Sequence, residues 1–211
     1  MIVCRYLGRS CVEIITDEDH LIIDPNYVES PKKGIDKLLL THEHEDHLSP
    51  EKIRIIYEKY VDKDKGFKIF GPISTKDKVN INEVLIVVKD ESKIEINSGR
   101  IEVFKIDCWK SEACVAYLIT VDGKRILHTA DSAKYSDRLR TIEKGIDCCF
   151  VATFENFYHD YLDFIKTIQP KLTIPYHFGP DKKQMGKNTA QFLEDNDVNV
   201  KYLDPGEEII L

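Results

Sequence analysis

The chain has 211 residues, of which 42% are hydrophobic and 32% are charged, and its formal net charge is −7. This balance is typical of a globular domain with one buried core, and it excludes a disordered chain. No apolar run approaches the roughly 20 residues that span a bilayer. The negative net charge argues against broad electrostatic binding of nucleic acid.

The amino terminus and the cysteines both favour a cytoplasmic protein. Residues 1–6 enter a strand pattern at once, without the basic stretch and apolar run of a signal peptide. The six cysteines form no C-x-x-C pair, and Cys148-Cys149 lies in an apolar run. We therefore expect reduced thiols, a cytoplasmic location and a small-molecule partner, with no nucleic acid and no membrane. A homo-oligomer is left open.

Strand patterns dominate the first part of the chain. Apolar or alternating runs predict strands at residues 1–6, 11–16, 20–24 and 37–41. Ser49 and Pro50 are typical of a helix cap and a first helical position, so a helix is predicted from there to about residue 60. Further strands are predicted at residues 67–71, 84–89, 93–96, 101–107, 113–121 and 124–130, with a hairpin turn at Asp122-Gly123.

Helices and strands alternate in the remainder of the chain. The pattern predicts a helix at 135–143, a strand at 146–151, a helix at 155–168, a strand at 171–175, a helix at 187–195, and strands at 199–203 and 207–211. Strands followed by interleaved helices favour an α+β fold of two packed sheets with helices outside. Because no repeat or linker interrupts the pattern, we expect one domain over residues 1–211.

The segment Thr41-His42-Glu43-His44-Glu45-Asp46-His47 directly follows a predicted buried strand. Imidazole and carboxylate groups suit divalent zinc, iron or manganese. Alternating residues of extended backbone share a face, so His42 and His44 can face one cation. Asp46 and His47, past the bend, can face a neighbouring one. Solvent-exposed histidines at a helix start are the ordinary alternative, but surface histidines seldom cluster so densely.

This motif resembles the signature of the metallo-β-lactamase superfamily, and five other segments extend the resemblance over nearly the whole chain. The segments Tyr6-Leu7-Gly8, Leu21-Ile22-Ile23-Asp24-Pro25 and Asp204-Pro205-Gly206-Glu207 are similar to the small lactonase-like branch that contains ascorbate-6-phosphate lactonase. His128-Thr129-Ala130-Asp131 resembles the strand end that supplies a bridging carboxylate, and Ile174-Pro175-Tyr176-His177-Phe178-Gly179 resembles the segment that supplies the last histidine. The resemblance implies a four-layer αββα sandwich.

The resemblance also implies a set of metal ligands: His42 and His44 for a first cation, Asp46, His47 and His177 for a second, and Asp131 bridging both. One or two zinc ions are expected, with Mn²⁺ and Fe²⁺ left open. Asp24 is expected to hold the metal-binding loop through hydrogen bonds, with an ordinary turn role as the alternative. A turn role for Asp131 and a buried, hydrogen-bonded role for His177 are the ordinary alternatives for those two residues.

The chain departs from the family pattern at Lys110, which stands where the family has a further histidine ligand of the first cation. Three outcomes are open. The first cation binds weakly through His42, His44, Asp131 and water. Alternatively, the first site is empty and the Lys110 ammonium supplies a positive charge near Asp131. In the third outcome, Cys108 is a substitute thiolate ligand, although a structural role is the ordinary one for such a cysteine.

A metal-dependent hydrolase follows from these expectations, because a bound divalent cation makes water nucleophilic near neutral pH. The bond cleaved would be an ester, lactone or phosphoester of a small anionic metabolite. Asp46 would orient the nucleophile, and Lys110 would hold an anionic group or stabilise developing negative charge. The alternative is a metal-binding protein of the same fold with weak or no activity, because Lys110 replaces a ligand of the first cation.

Overall fold

The computed structural model describes residues 1–79, 81, 85–132 and 134–211. The strands are β1 (Val3–Gly8), β2 (Cys11–Ile15), β3 (His20–Ile23), β4 (Lys37–Leu39), β5 (Lys68–Gly71), β6 (Leu85–Val87), β7 (Lys93–Ile96), β8 (Gly99–Ile106), β9 (Cys114–Val121), β10 (Lys124–His128), β11 (Cys148–Val151), β12 (Thr173–Pro175) and β13 (Glu208–Ile210). The helices are α1 (Pro50–Lys59), α2 (Asp137–Arg140), α3 (Tyr158–Ile168) and α4 (Lys183–Glu194). Within the described ranges, no helix is both long and apolar enough to cross a membrane.

The strands form two mixed sheets. A seven-stranded sheet has the order β13-β1-β2-β3-β4-β5-β6, and a six-stranded sheet has the order β12-β11-β10-β9-β8-β7. Strands β3 to β6 are parallel to one another, as are β10, β11 and β12. Polar side chains that follow parallel strands collect at one edge of a sheet, because the carboxyl ends of these strands share that edge.

The central strands of the seven-stranded sheet are buried on both faces, as the alternation along them shows. Leu21 and Ile23 of β3 belong to the main core shared with the six-stranded sheet, whereas Ile22 belongs to a second cluster with Ile53 and Ile56 of α1. Each such fully buried aliphatic side chain contributes roughly 1.5–3 kcal/mol relative to exposure.

The six-stranded sheet is covered by α3, whose buried residues Tyr161, Phe164, Ile165 and Ile168 all join the main core. Helices therefore lie outside two packed sheets, which confirms the predicted α+β sandwich.

Most predicted elements are present with shifted ends, and the predicted strand at 199–203 is the exception. This segment makes only one isolated parallel bridge, between Val200 and Thr173 of β12. Strand β12 ends at Pro175, which has no N–H to donate, so the pairing cannot continue along it. The predicted helix at 135–143 is shortened to α2. Of the predicted strand at 84–89, residue 84 lies outside the described residues.

Candidate metal centre

The site lies at the carboxyl ends of parallel strands from both sheets. Asp24 follows β3 and His42 follows β4, whereas Asp131 follows β10 and His177 follows β12. Asp24, Ala130 and His177 adopt left-handed backbone conformations, with φ of 49°, 49° and 74°. Such conformations cost non-glycine residues roughly 1–3 kcal/mol each and concentrate at functional sites. The backbone is therefore strained at Asp24, at His177 and immediately before Asp131.

Four of the predicted ligands form one compact group: Asp46, His47, Asp131 and His177 each offer an atom within 4.8 Å of the others. Nε2 of His47 lies 3.0 Å from Asp131 Oδ2. Nε2 of His177 lies 3.4 Å from the same oxygen and 3.3 Å from Asp46 Oδ2. These residues are the ones that the family resemblance implied for the second cation, together with the bridging carboxylate.

The residues of this group fit a divalent cation. Nε2 of His47, Nε2 of His177 and Oδ1 of Asp131 are buried, and none has a hydrogen-bond partner within the described chain. Although the nitrogens lie close to carboxylate oxygens, these contacts lack hydrogen-bond geometry, so the atoms point at a common space rather than at each other. Imidazole nitrogens and carboxylate oxygens arranged in this way are a donor set for zinc, iron or manganese.

Opposite charges balance within the group. The His177 imidazole beside Asp46 lowers the pKa of that carboxyl to about 2. Burial would raise the pKa of Asp131, but His177 and His47 outweigh it and hold the pKa well below the usual range. Burial would likewise lower the pKa of His47, yet the carboxylates of Asp131 and Asp24 raise it well above the usual value. Both aspartates are therefore ionised near neutral pH and ready to bind a cation.

Asp24 supports the histidine segment from behind. Its Oδ2 lies 2.6 Å from His47 Nδ1, and its two oxygens accept hydrogen bonds from the Thr41 N–H (2.8 Å) and the Thr41 hydroxyl (2.6 Å). The Thr41 hydroxyl oxygen in turn lies 2.9 Å from His42 Nδ1. Asp24 thus fixes His47 directly and His42 through Thr41, as outer carboxylates do around metal-binding histidines.

The other two predicted ligands, His42 and His44, lie in a different environment. Nε2 of His42 is 3.1 Å from His44 Nδ1 and 3.8 Å from Cys108 Sγ. A second group of possible ligand atoms contains His42, Cys108 and Cys114, and His44 belongs to neither group among the described residues. The Cys114 thiol and, less strongly, His42 lower the pKa of Cys108 to about 5 against the effect of burial.

Lys110 lies on the exposed loop between β8 and β9. Its backbone is left-handed, with φ of 58°, and its ammonium lies 4.2 Å from the centroid of the Trp109 ring. The 3.8 Å distance from Cys108 Sγ to His42 Nε2 is compatible with the outcome in which Cys108 is a substitute thiolate ligand, and all three outcomes for the first cation stay predictions.

A cavity of about 860 Å³ opens over the site. Both ligand groups reach it, since Asp46, Asp131 and Cys108 all line it. The other lining side chains include an aromatic wall, two lysines and three glutamates: Trp109, Phe154, Phe157, Lys78, Lys110, Glu43, Glu45 and Glu112. This volume lies within the range of small-molecule sites.

Sequence reasoning missed Cys114 and the aromatic wall. Cys114 could have been found from the register of the β8–β9 hairpin. Ile106 pairs with Cys114, so Cys108, two residues after Ile106, lies close to Cys114. Phe154 and Phe157 follow β11 and carry no sequence pattern of their own.

A contact between the sheets holds the last histidine loop. The Tyr6 hydroxyl on β1 accepts a hydrogen bond from the Phe178 N–H (2.8 Å) and donates to the Phe178 carbonyl. Arg9 N–H also donates to that carbonyl, at 2.8 Å. The residue next to His177 is therefore tied to the opposite sheet.

Known proteins resemble this chain in sequence and in fold. The family described as "Beta-lactamase superfamily domain" matches residues 4–177. A UPF0173 metal-dependent hydrolase of Thermus thermophilus is 24% identical over 242 residues, with 100% of both chains covered. A UPF0173 protein of Pyrococcus abyssi is 27% identical over 184 residues, with 82% of each chain covered.

Two solved structures show the same fold. Igni18, a metallo hydrolase of Ignicoccus hospitalis, has a TM-score of 0.77 at 17% identity and covers 99% of this chain and 97% of its own. YhfI of Bacillus subtilis, a metallo-β-lactamase fold protein, has a TM-score of 0.77 at 14% identity with 100% of both chains covered. Since the family match spans most of the chain, this protein belongs to the β-lactamase superfamily.

Proposed function

We propose that the protein is a metal-dependent hydrolase that cleaves an ester, lactone or phosphoester bond of a small anionic compound. The observation that carries this proposal is the convergence of Asp46, His47, Asp131 and His177 beside a cavity of small-molecule size. The Thermus thermophilus relative, which is named a metal-dependent hydrolase, supports it. We propose zinc as the metal, because it accepts mixed imidazole and carboxylate ligands.

The chain's own groups fit the roles that hydrolysis requires. A divalent cation in this group supplies a nucleophile from water near neutral pH and polarises the bond under attack. Asp46, whose side chain is 58% exposed, has a carboxylate on the cavity side that can orient the attacking water. Asp131, at 8% exposure, is shielded from solvent and holds its negative charge among the histidines.

The cavity wall supports a small substrate with an apolar part and an anionic group. Trp109 is 71% exposed and, with Phe154 and Phe157, offers ring surface to the cavity. Lys110, beside Trp109, is placed to pair with an anionic group. A net charge of −7 argues against nucleic acid as the substrate. Within the superfamily we assign the chain to the small lactonase-like branch, and six free cysteines favour the cytoplasm.

The proposal is tested with a panel of ester, lactone and phosphodiester substrates and zinc-loaded protein. His177→Ala and Asp46→Asn should each lower kcat/KM by more than about a hundredfold, since even supporting residues around a metal cost 10–100-fold. His159→Ala is the matched control, because His159 is exposed and its ring lies 5.6 Å from that of Phe192, away from the candidate ligands. Turnover that survives both ligand substitutions contradicts the proposal. Zinc-loaded protein with no turnover on any substrate would favour a metal-binding protein without catalytic activity.

A further inference from the structure

We propose a second cation position in which His42 and the thiolates of Cys108 and Cys114 bind a soft divalent metal such as zinc. One ligand atom from each residue lies within 4.8 Å of the others. This position is distinct from the group formed by Asp46, His47, Asp131 and His177. It depends on metal–sulfur contacts and not on hydrolysis, so it can fail or hold independently of the proposed activity.

The separation of the His42 nitrogen from the Cys108 sulfur is close to that of a zinc site. Tetrahedral zinc, with bonds of about 2.0–2.1 Å to nitrogen and about 2.3 Å to sulfur, separates a nitrogen from a sulfur by about 3.6 Å. His42 Nε2 lies 3.8 Å from Cys108 Sγ. The observed separation therefore needs only a few tenths of an ångström of adjustment.

The hydrogen bond with Thr41 engages Nδ1 of His42 and leaves Nε2 on the side of His44 and Cys108. The Thr41 hydroxyl donates its only proton to the buried carboxylate of Asp24, at 2.6 Å. Its oxygen must then accept from His42 Nδ1–H, 2.9 Å away. Nδ1 of His42 is therefore the nitrogen held by Thr41, and Nε2 is the nitrogen that lies 3.1 Å from His44 Nδ1 and 3.8 Å from Cys108 Sγ.

Burial and charge also suit this assignment. Cys114 is 3% exposed, and Cys108 is half-buried and lines the cavity, so a cation can enter past Cys108. Two thiolates carry two negative charges, which one divalent cation cancels, so the buried group is neutral as a whole. Thiolates select zinc and other soft metals, whereas the carboxylate-containing group also suits manganese and iron. The two positions should therefore differ in metal preference.

Two ordinary alternatives compete with this proposal. In the first, the three residues make only weak thiol hydrogen bonds, and in the second, Cys108 and Cys114 form a disulfide. X-ray absorption at the zinc edge of reduced, zinc-loaded, full-length protein separates these alternatives from the proposal. We expect a scattering shell at about 2.3 Å, the zinc–sulfur distance. A shell of nitrogen and oxygen alone, at about 2.0–2.1 Å, would overturn the proposal.

Cobalt titration of the same reduced protein assigns the sulfur atoms. A thiolate bound to Co²⁺ gives a near-ultraviolet charge-transfer band, which Cys108→Ala and Cys114→Ala should each reduce by roughly half or more. Cys149→Ala is the matched control, since Cys149 is a buried free thiol on β11. His177→Ala should keep the band, which separates this position from the proposed catalytic one. A full-strength band in either Cys108→Ala or Cys114→Ala contradicts the assignment, and the wild-type absorption experiment decides the matter if Cys114→Ala does not fold.

Discussion

Asp24 Oδ2 and His47 Nδ1 lie 2.6 Å apart, and both side chains are fully buried. Because the carboxylate accepts the Nδ1 proton, Nε2 of His47 is the nitrogen that faces the candidate metal position, 3.0 Å from Asp131 Oδ2. The same oxygen of Asp24 accepts the Thr41 hydroxyl proton. One buried carboxylate therefore sets the orientation of a ligand that is separated from it by a turn and a strand.

Asp24→Asn should weaken zinc binding 10–100-fold while the fold is retained. The amide oxygen can still accept from Thr41, but the amide N–H₂ donates to His47 Nδ1 and moves the ring proton to Nε2. Competition with a chromophoric chelator measures the affinity. Asp17→Asn is the control, since Asp17 is 79% exposed and pairs with the amino terminus. If Asp24→Asn binds zinc with unchanged affinity, Asp24 has only the role of an ordinary turn residue.

Lys110→Ala should raise KM for an anionic substrate about tenfold or less and leave kcat within about twofold. The exposed ammonium lies over Trp109, so its removal costs binding of a charged group without disturbing the ligands. Steady-state kinetics on the best substrate of the panel measures both constants. Lys166→Ala, on the exposed face of α3, is the matched charge control. A large fall in kcat with constant KM would instead place Lys110 at the reacting atoms.

Gly186→Ala should lower the free energy of unfolding by about 1 kcal/mol in total. The steric cost of the added methyl group should exceed the gain of about 1 kcal/mol that alanine brings to a helix. A Cβ at Gly186 of α4 would lie 2.4 Å from Cε1 of Phe178, whose ring is 2% exposed and packs against Tyr6 and Tyr202. Because Phe178 adjoins His177, zinc affinity should fall as well. Urea unfolding and chelator competition measure the two effects, with the exposed Gln191→Ala as control. A Gly186→Ala variant that is more stable than the wild type would show that the Phe178 ring can move aside.

Asp19 should contribute stability that is lost in acid. Burial would raise the pKa of Asp19, but Lys37 and Ser98 outweigh it and lower the pKa below its ordinary value of 3.8. The lower folded-state pKa means that the contribution is complete above the unfolded-state pKa and disappears as pH falls through the folded-state pKa.

Asp19→Asn should therefore cost about 2 kcal/mol near neutral pH, because Lys37 is buried and retains only Asp36 as its partner. The difference from wild type in urea unfolding should shrink below about pH 4. Asp17→Asn, an exposed neighbour, should change stability by less than about 0.5 kcal/mol. A difference that persists unchanged in acid would contradict an ionic contribution.

Most strands and helices could be predicted from the sequence because the features that specify them are local. Alternation, the Ser49-Pro50 cap and the Asp122-Gly123 turn each specify backbone geometry without help from distant residues. Ser49 accepts a hydrogen bond from the Lys52 N–H, and residues 122 and 123 join β9 to β10 as expected. The segment at 199–203 failed because its pairing depends on Pro175, a constraint that lies on another strand.

The candidate site was only partly predictable for a similar reason. The group of Asp46, His47, Asp131 and His177 was implied by the family resemblance, and the position of Asp131 and His177 just after apolar strands agreed with it. The environment of His42 was not implied, because Cys114 reaches it only through the register of β8 with β9, and Lys110 is turned towards Trp109 by a left-handed backbone. A loop conformation of this kind has no sequence period from which it could be inferred.

The ligands of the carboxylate-containing group come from opposite halves of the sandwich. Asp46 and His47 follow a strand of the seven-stranded sheet, whereas Asp131 and His177 follow strands of the six-stranded sheet. An ion bound there is a reversible cross-link, comparable to a disulfide that a chelator rather than a reductant opens. Amide hydrogens near these four residues should then exchange with solvent more slowly when metal is bound. The lifetime of the folded protein would therefore depend on how much metal is available to it.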